Sequence, residues 1–267
     1  MDNLSIHQTT QESDPKLVSA LARGISILRC FTATRYELTA KDLIELTDLP
    51  KPTLFRLLDT LCSLGLLTYS ERISRYIPGP ALLDLAAPAL ARMSIRQFAR
   101  PLMDDLASYV DEGQLQLVVG SQGTLRYAEV IQGKSSKIFR PEIGMNLSLS
   151  RTASGRAYLC KMPQEQKDQY LSKLGQSNPT HKAWLDGRLL EAMNDLSELG
   201  FCQGHGDLHR EIEVIAIPMK SSVDDEYWIF SVALPVFSSQ CKTLNTDIAP
   251  RLLTLVRNVE AFVGGRG

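Results

Sequence analysis

Residues 39–79 run TAKDLIELTDLPKPTLFRLLDTLCSLGLLTYSERISRYIPG. Within them Leu54, Leu57, Leu58, Leu61 and Leu64 recur three and four residues apart, which sets them on one face of a helix. Thr53, Arg56, Thr60 and Ser63 fall on the opposite side, with Lys51 at the helix start. An apolar back and a small, polar, basic front suit a helix lying in a DNA major groove. Thr and Arg reach base edges that bulky side chains would hold at a distance. Upstream, Thr39 followed by Asp42 makes a capping-box pattern for a shorter helix whose buried side is Leu43, Ile44 and Leu46. Thr47-Asp48-Leu49-Pro50 is the turn between the two helices, and Pro52 sits in a first turn, where a missing N–H costs little. Gly65 stops the longer helix. Residues 66–69 and 73–77 then read as short strands around Ser70-Glu71-Arg72, with Arg72 and Arg75 near the tip suited to holding phosphate or entering a minor groove. The stretch predicts a DNA-binding unit with Thr39, Lys51, Thr53, Arg56, Thr60, Arg72 and Arg75 as its candidate contacts.

The 267 residues carry a net charge of -1, so whole-chain charge gives no support for nucleic-acid binding. Between Lys51 and Tyr76 four cations oppose two anions, which leaves a small focused patch and weak non-specific binding. With 44% hydrophobic and 22% charged residues the composition is that of a globular chain, and its length suggests about two domains. Five cysteines, odd in number and without a CxxC pair, argue against structural disulfides and a cysteine-rich zinc site and fit a reducing cytoplasm. The polar N-terminus lacks a signal-peptide pattern. The most apolar run, residues 81–91, carries Asp84 and Pro88 and is too short to span a bilayer. The expectation is a soluble, cytoplasmic protein with no membrane partner.

Residues 1–14 are polar and aperiodic and read as disordered. Val18, Leu21, Ile25 and Leu28 mark the apolar side of a first helix, which completes a domain over residues 15–78. Pro78-Gly79-Pro80 breaks the chain, and residues 79–93 follow as an apolar linker helix interrupted by Pro88. Residues 95–111 give another amphipathic helix through Phe98, Leu102, Leu106 and Val110. Strand-like runs at 114–119, 125–131, 137–140, 214–219 and 227–236 are interspersed with helical segments at 154–160, 164–174, 184–199 and 244–263. Strands bracketed by helices make residues 94–267 an α+β domain.

The order of helix, TAKDLIELTDLPKPTLFRLLDTL, short ribbon, RYIPG and an Ala/Leu-rich helix resembles the winged helix-turn-helix domain of IclR-type bacterial transcription regulators. GMNLSLSRTASGRAYLCKMP resembles that family's effector-domain segment, and ELGFCQGHGDLHREIEVIAIPM followed by WIFSVALPV resembles its closing half. The three stretches occur in the family's order and cover nearly the whole chain. The resemblance implies two domains, a winged helix-turn-helix and an effector domain on a GAF-like antiparallel sheet, joined by a linker helix that helps pair two subunits. The implied partners are double-stranded operator DNA, a small organic acid, and further copies of the chain in a homodimer or dimer of dimers. Two-fold pairing presents two reading helices to half-sites roughly 34 Å apart, or multiples of that. No cofactor is expected.

Ser150-Arg151-Thr152-Ala153-Ser154-Gly155 is the best ligand loop, because small residues let N–H groups approach a ligand and a following helix start favours an anion. In IclR-type proteins that bind small carboxylates the corresponding amides hold the acid, and carried over they fall on Ala153 and Ser154. The resemblance puts other walls on Ile212 and Val214 of one strand and Ser231 and Ala233 of another; Thr152 in the loop itself and His205, weighed on its own stretch of sequence, are further candidates. Several positions depart from the family's common pattern. Ser150 stands where His is frequent, Arg151 where a small residue is usual, Gly204 where some members have an acid, and Ala233 where some have Ser. Pro52 stands where Ser is common, which removes a phosphate contact. A less polar far wall and a nearby cation predict an effector with an apolar, aromatic-sized body and one carboxylate, with Arg151 as its counter-ion.

Cys202, His205, Asp207 and His209 match no firm ligand spacing, so no metal site is expected. There is no GxSxG elbow, Walker loop, GxGxxG after a strand or HExxH, and Ser150 and Ser154 lack a placed base, so no catalytic residue is assigned. The expected function is a ligand-responsive, DNA-binding regulator of a catabolic operon. The alternative is a small-molecule sensor that uses its N-terminal helices for protein contacts without binding DNA.

Overall fold

The computed structural model describes residues 17–265, so the disorder expected of residues 1–14 lies outside them. The chain forms two compact units, one ending at Met93 and the other beginning at Ser94. The first contains α1 (Ser19–Arg29), α2 (Ala40–Thr47), α3 (Lys51–Ser63), β1 (Leu67–Ser70), β2 (Arg75–Pro78) and α4 (Ala81–Arg92). Its core gathers Ile27, Leu38, Leu43, Leu54, Leu58 and Leu61.

The capping box at the start of α2 is present: Asp42 N–H donates to Thr39 Oγ1 (3.1 Å) and Thr39 N–H donates to Asp42 Oδ2 (2.8 Å). Asp48, at φ 53°, ends α2 and turns the chain into α3. On α3 the buried back is Leu54, Leu58 and Leu61, with Leu57 half-buried. Leu64 is a correction, since it lies past the helix end and is 61% exposed. The helix stops there because Leu66 N–H bonds Leu61 O and Gly65 N–H bonds Cys62 O (both 2.9 Å), with Gly65 at φ +69°. This is a Schellman end, which needs a residue at ease in the left-handed region.

Two other apolar faces are also corrected. Leu46 is exposed on α2, and on α1 the core side is Gly24 and Ile27 while Val18, Leu21 and Ile25 face outward. Helix α1 carries apolar residues on two sides, and one small core covers only one of them. The ribbon is tighter than expected as well. Its second strand begins at Arg75, because residues 71–74 form the loop with Ser74 at φ 52°. Tyr76 and Leu38 exchange backbone hydrogen bonds (3.0 and 2.8 Å), adding a third short edge.

At the base of the ribbon Gly79 N–H donates to Leu66 O (2.9 Å) and Ala81 N–H to Gly65 O (3.3 Å). A Cβ on Gly79 would lie 2.0 Å from Gly65 O, so only glycine permits this crossing. Helix α4 follows with Pro88 inside it and no buried residue; Leu83 and Leu85 are exposed.

The second unit contains α5 (Ser94–Val110), β3 (Gln114–Ser121), β4 (Thr124–Gln132), α6 (Ala153–Lys161), α7 (Gln164–Ser177), α8 (Pro179–Glu198), β5 (Cys202–His205), β6 (Ile212–Pro218), β7 (Tyr227–Pro235) and α9 (Ala249–Gly264). The strands form one antiparallel sheet in the order β4-β3-β7-β6-β5, the α+β, GAF-like arrangement that was expected. Helix α6 packs on β5, β6 and β7 with α8 beside it, while α5 and α9 pack together against strands of the same sheet. Alternation along β6 separates the two cores: Val214 and Ala216 join the α6 cluster, and Ile215 and Ile217 point the other way. A sheet covered on both faces explains why β7 reads as an apolar run interrupted only by Ser231.

Four readings of this unit change. Residues 137–140 form a loop rather than a strand, and residues 202–205 form an edge strand rather than a loop. Helix α8 starts earlier, where the Asn178 side chain accepts from His181 N–H (2.9 Å). Helix α9 begins at Ala249, after a π turn over Leu244–Ile248. No described helix is long and apolar enough to cross a membrane.

Candidate functional site

Helix α3 leaves Lys51, Arg56, Thr60 and Ser63 exposed and Thr53 half-exposed. The hydroxyls of Thr60 and Ser63 donate to the carbonyls of Arg56 and Asp59 (both 2.8 Å), a local arrangement that keeps them on the helix surface. Arg72 and Arg75 are exposed at the ribbon loop and its edge. Thr39 is half-buried and its hydroxyl donates to Asp42 Oδ2 (2.7 Å), so its first task is to fix the start of α2. Those hydrogen bonds, the backbone one foremost, hold the Asp42 carboxyl below the usual carboxylate range. The sequence reading passed over Phe55, which is exposed beside this face with Lys51 Nζ 6.0 Å from its ring centre.

In the second unit, Thr152 opens α6. Its hydroxyl accepts from Gly155 N–H (2.9 Å) and donates to Ser148 O (2.7 Å). The N–H groups of Ala153 and Ser154, the first two of the helix, have no acceptor among the described residues. Both residues line a cavity of about 870 Å³. Gly204 of β5 lies close against this helix start; a Cβ there would sit 3.2 Å from Ala153 Cβ and 3.5 Å from Ala153 N. Oriented N–H groups and the positive end of a helix dipole favour an anion at this spot.

Of the nine candidate effector residues, Arg151, Thr152, Ala153, Ser154, Ile212, Val214 and Ala233 line the cavity. His205 and Ser231 do not. Gly204 lines the cavity, and its strand neighbour His205 points away and pairs with Glu213. Ser231 is fully buried behind Gln116, to whose Oε1 its hydroxyl donates (3.2 Å). The far wall is also more polar than expected, because Gln114, Gln116, Thr124 and Tyr127 contribute to it. The stretch Gln114-Leu-Gln116-Leu carried the signal: a polar residue at every second place of an otherwise apolar strand. Burial pushes the Tyr127 hydroxyl far above its ordinary range, so it is a neutral hydrogen-bonding group at physiological pH.

Beside the cavity lies an ion cluster that sequence reasoning missed. Arg156 of α6 is fully buried, 2.8 Å from Asp207 Oδ2, and donates to Gln203 O (2.8 Å). Arg188 of α8 meets the other Asp207 oxygen. The cluster fastens α6 and α8 to the β5–β6 connection. An imidazole also reaches the ligand loop, but from α8: His181 Nε2 lies 2.9 Å from Ser150 Oγ. Cys202, His205, Asp207 and His209 do not converge, since Cys202 is in the apolar core and Asp207 and His205 are engaged as above. Among the described residues no three His, Cys, Asp or Glu come together to hold a metal.

Two family profiles match the chain, IclR helix-turn-helix domain over residues 20–71 and Bacterial transcriptional regulator IclR C-terminal over residues 87–259. The chain belongs to the IclR family. As an IclR-family protein it is a DNA-binding transcriptional regulator, not an enzyme. It is similar to an IclR family transcriptional regulator from Brucella abortus whose crystal structure is 31% identical in sequence, with a TM-score of 0.83 over 95% of this chain and 96% of that one. It is 27% identical over 255 residues to the HTH-type transcriptional regulator TsaQ1/TsaQ2 of Comamonas testosteroni, covering 94% of this chain and 90% of the relative. An IclR homolog from Microbacterium hydrocarbonoxydans, crystallised with 4-hydroxybenzoate, shares the fold at 22% identity and a TM-score of 0.70, over 91% of this chain and 98% of that one.

Proposed function

We propose that this regulator controls a catabolic operon in response to a small aromatic acid. The acid's carboxylate sits on the Ala153 and Ser154 N–H groups, its ring fills the adjacent cavity, and Arg151 supplies a counter-charge at the wall. The observation that carries this reading is the open first turn of α6 facing a cavity of about 870 Å³. A ligand of 4-hydroxybenzoate in a protein of the same fold supports it. Residues 15–78 are the reading domain, 79–93 the linker and 94–267 the sensor. Operator DNA is read by Lys51, Thr53, Arg56 and Thr60 in the major groove, with Arg72 and Arg75 on the flanking backbone and Thr39 fixing the helix that supports them. The exposed leucines of α4 and the outward apolar side of α1 support pairing of two subunits into a dimer or dimer of dimers, working in the cytoplasm. The acid acts only through a difference in affinity between the DNA-competent and incompetent arrangements.

The test is fluorescence anisotropy with the intergenic DNA upstream of the protein's own gene, titrated with benzoate and its ring-substituted relatives. Nanomolar binding that shifts at least severalfold with one acid is expected, and Arg151→Ala should weaken that acid about tenfold. Operator affinity indifferent to every acid would remove the sensor reading. No binding to any upstream DNA would favour a sensor acting through protein contacts.

A further inference from the structure

The buried back of α3 is the row Leu54, Leu58 and Leu61. Half a helical turn from it runs a second row, Pro52, Arg56, Asp59 and Ser63, each two positions from a back-row residue. All four are exposed. Pro52 has no hydrogen-bonding group on its side chain, and the Ser63 proton is committed to the Asp59 carbonyl (2.8 Å). What the row can still offer a partner is a guanidinium and, one turn further on, a carboxylate. Opposite charges three apart on a helix are within reach of each other. Arg56 and Asp59 nevertheless form no ion pair, and neither side chain has a hydrogen-bond partner among the described residues. Cys62 and Tyr76 feel the Asp59 charge without bonding it.

A carboxylate brought up to a duplex is repelled by the phosphates, so an acid on this row lowers affinity unless a base compensates it. The major groove offers it two amino donors, adenine N6 and cytosine N4. Adenine sets its N7 acceptor beside the amino group, which repels a carboxylate and suits the paired donor and acceptor of an amide. Cytosine has no acceptor beside N4 on its own base, so it is the match for Asp59, as guanine with its two acceptors is for Arg56. Spacing ties the two contacts together. Three residues advance a helix by about 4.5 Å and one step advances a duplex by about 3.4 Å, which puts the two side chains on neighbouring base pairs.

We infer that Asp59 is a specificity-determining residue of the DNA site: its carboxylate accepts a hydrogen bond from a cytosine N4 amino group, in the base pair next to the guanine read by Arg56. The inference rests on α3 being the reading helix, as proposed above, and the experiment separates the two. The full chain, Asp59→Ala, Asp59→Asn and Arg56→Ala would each select sites from a random-sequence duplex library. Point-substituted duplexes of the enriched site would then be titrated by fluorescence anisotropy at one salt concentration. The unmodified protein should lose at least about tenfold when the cytosine is replaced. Asp59→Ala should bind all four bases at that place within about threefold, and bind non-cognate DNA more tightly because the repelled anion is gone. Asp59→Asn should move the preference to adenine, which an amide matches. Discrimination that survives in Asp59→Ala, with affinity raised equally for every sequence, makes the acid a source of repulsion only and overturns the inference. So does relaxation at a pair where cytosine is not preferred, or at one that does not adjoin the pair relaxed by Arg56→Ala. In those cases a loss caused by Arg56→Ala leaves the reading helix standing. If Arg56→Ala and both Asp59 variants bind the site as the unmodified protein does, or if the unmodified protein enriches no sequence, the reading helix falls as well.

Discussion

On α3 the hydroxyls of Thr60 and Ser63 bond carbonyls four residues away and stay at the surface. Around the cavity of the second unit Ser231 reaches Gln116 across 115 residues of chain and Arg156 reaches the Gln203 carbonyl across 47, with Ser231, Gln116 and Arg156 all buried. The reading helix therefore carries its chemistry as a display that the fold does not depend on. The cavity carries its chemistry as part of the framework. A change on the first surface should cost affinity and little stability, and a change among the polar groups of the second should cost stability as well.

The sharpest way to break that contrast is Arg156→Met. It leaves Asp207 buried with Arg188 alone, and removing one partner of a buried pair costs about 3–5 kcal/mol. Chemical denaturation of the effector domain should show that loss; a change under about 1 kcal/mol would mean the cluster is not what fastens α6 to the sheet. Next in size, Arg56→Ala should cost about 1–3 kcal/mol on the specific operator while moving folding stability by less than about 0.5 kcal/mol. Lys51→Ala and Arg75→Ala should weaken all sequences alike and each lower the salt slope by about one. Operator affinity intact after all three changes would mean another face reads the DNA.

The smallest expected effect tests the one residue that belongs to both categories. Thr39→Ala should cost about 1 kcal/mol of stability through the lost cap. The Asp42 carboxyl is held below its ordinary value by Thr39, so its contribution is fully present above the unfolded carboxylate value of about 3.9 and is lost as pH falls through the lowered folded value. The stability gap between Thr39→Ala and the parent should therefore close in acid. A gap that stays constant down to pH 3 would mean the hydroxyl contributes without the carboxylate.

The same contrast in range explains what could be read from sequence. The helix-turn-helix was legible because its signals act within a turn or two: the Thr39–Asp42 box, Pro52, and Gly65 at the helix end. Leu64 was misread because three-and-four spacing continues past the point where Gly65 stops the helix, and Val18, Leu21 and Ile25 because α1 has a second apolar side. In the effector domain the existence of β6 and β7 was plain from their apolar runs. Which residues line the cavity was not, since a one-residue change of register exchanges the two faces. Gly204 thus enters the wall while His205 leaves it, and Gln116 stands in front of Ser231. The Arg156–Asp207 pair joins residues 51 positions apart (207 − 156), with no local pattern to announce it.

The crossing of Gly79 over Gly65 has a mechanical consequence. Two backbone hydrogen bonds there clamp the first turn of α4 to the end of α3 and the foot of the ribbon, with no room for a side chain to act as a bearing. Helix α4 is then a handle welded to the tool: tilting it swings Arg56 and Arg75 together, at fixed spacing. Any movement of α4 at that end therefore carries the exposed face of α3 and the ribbon with it as one piece.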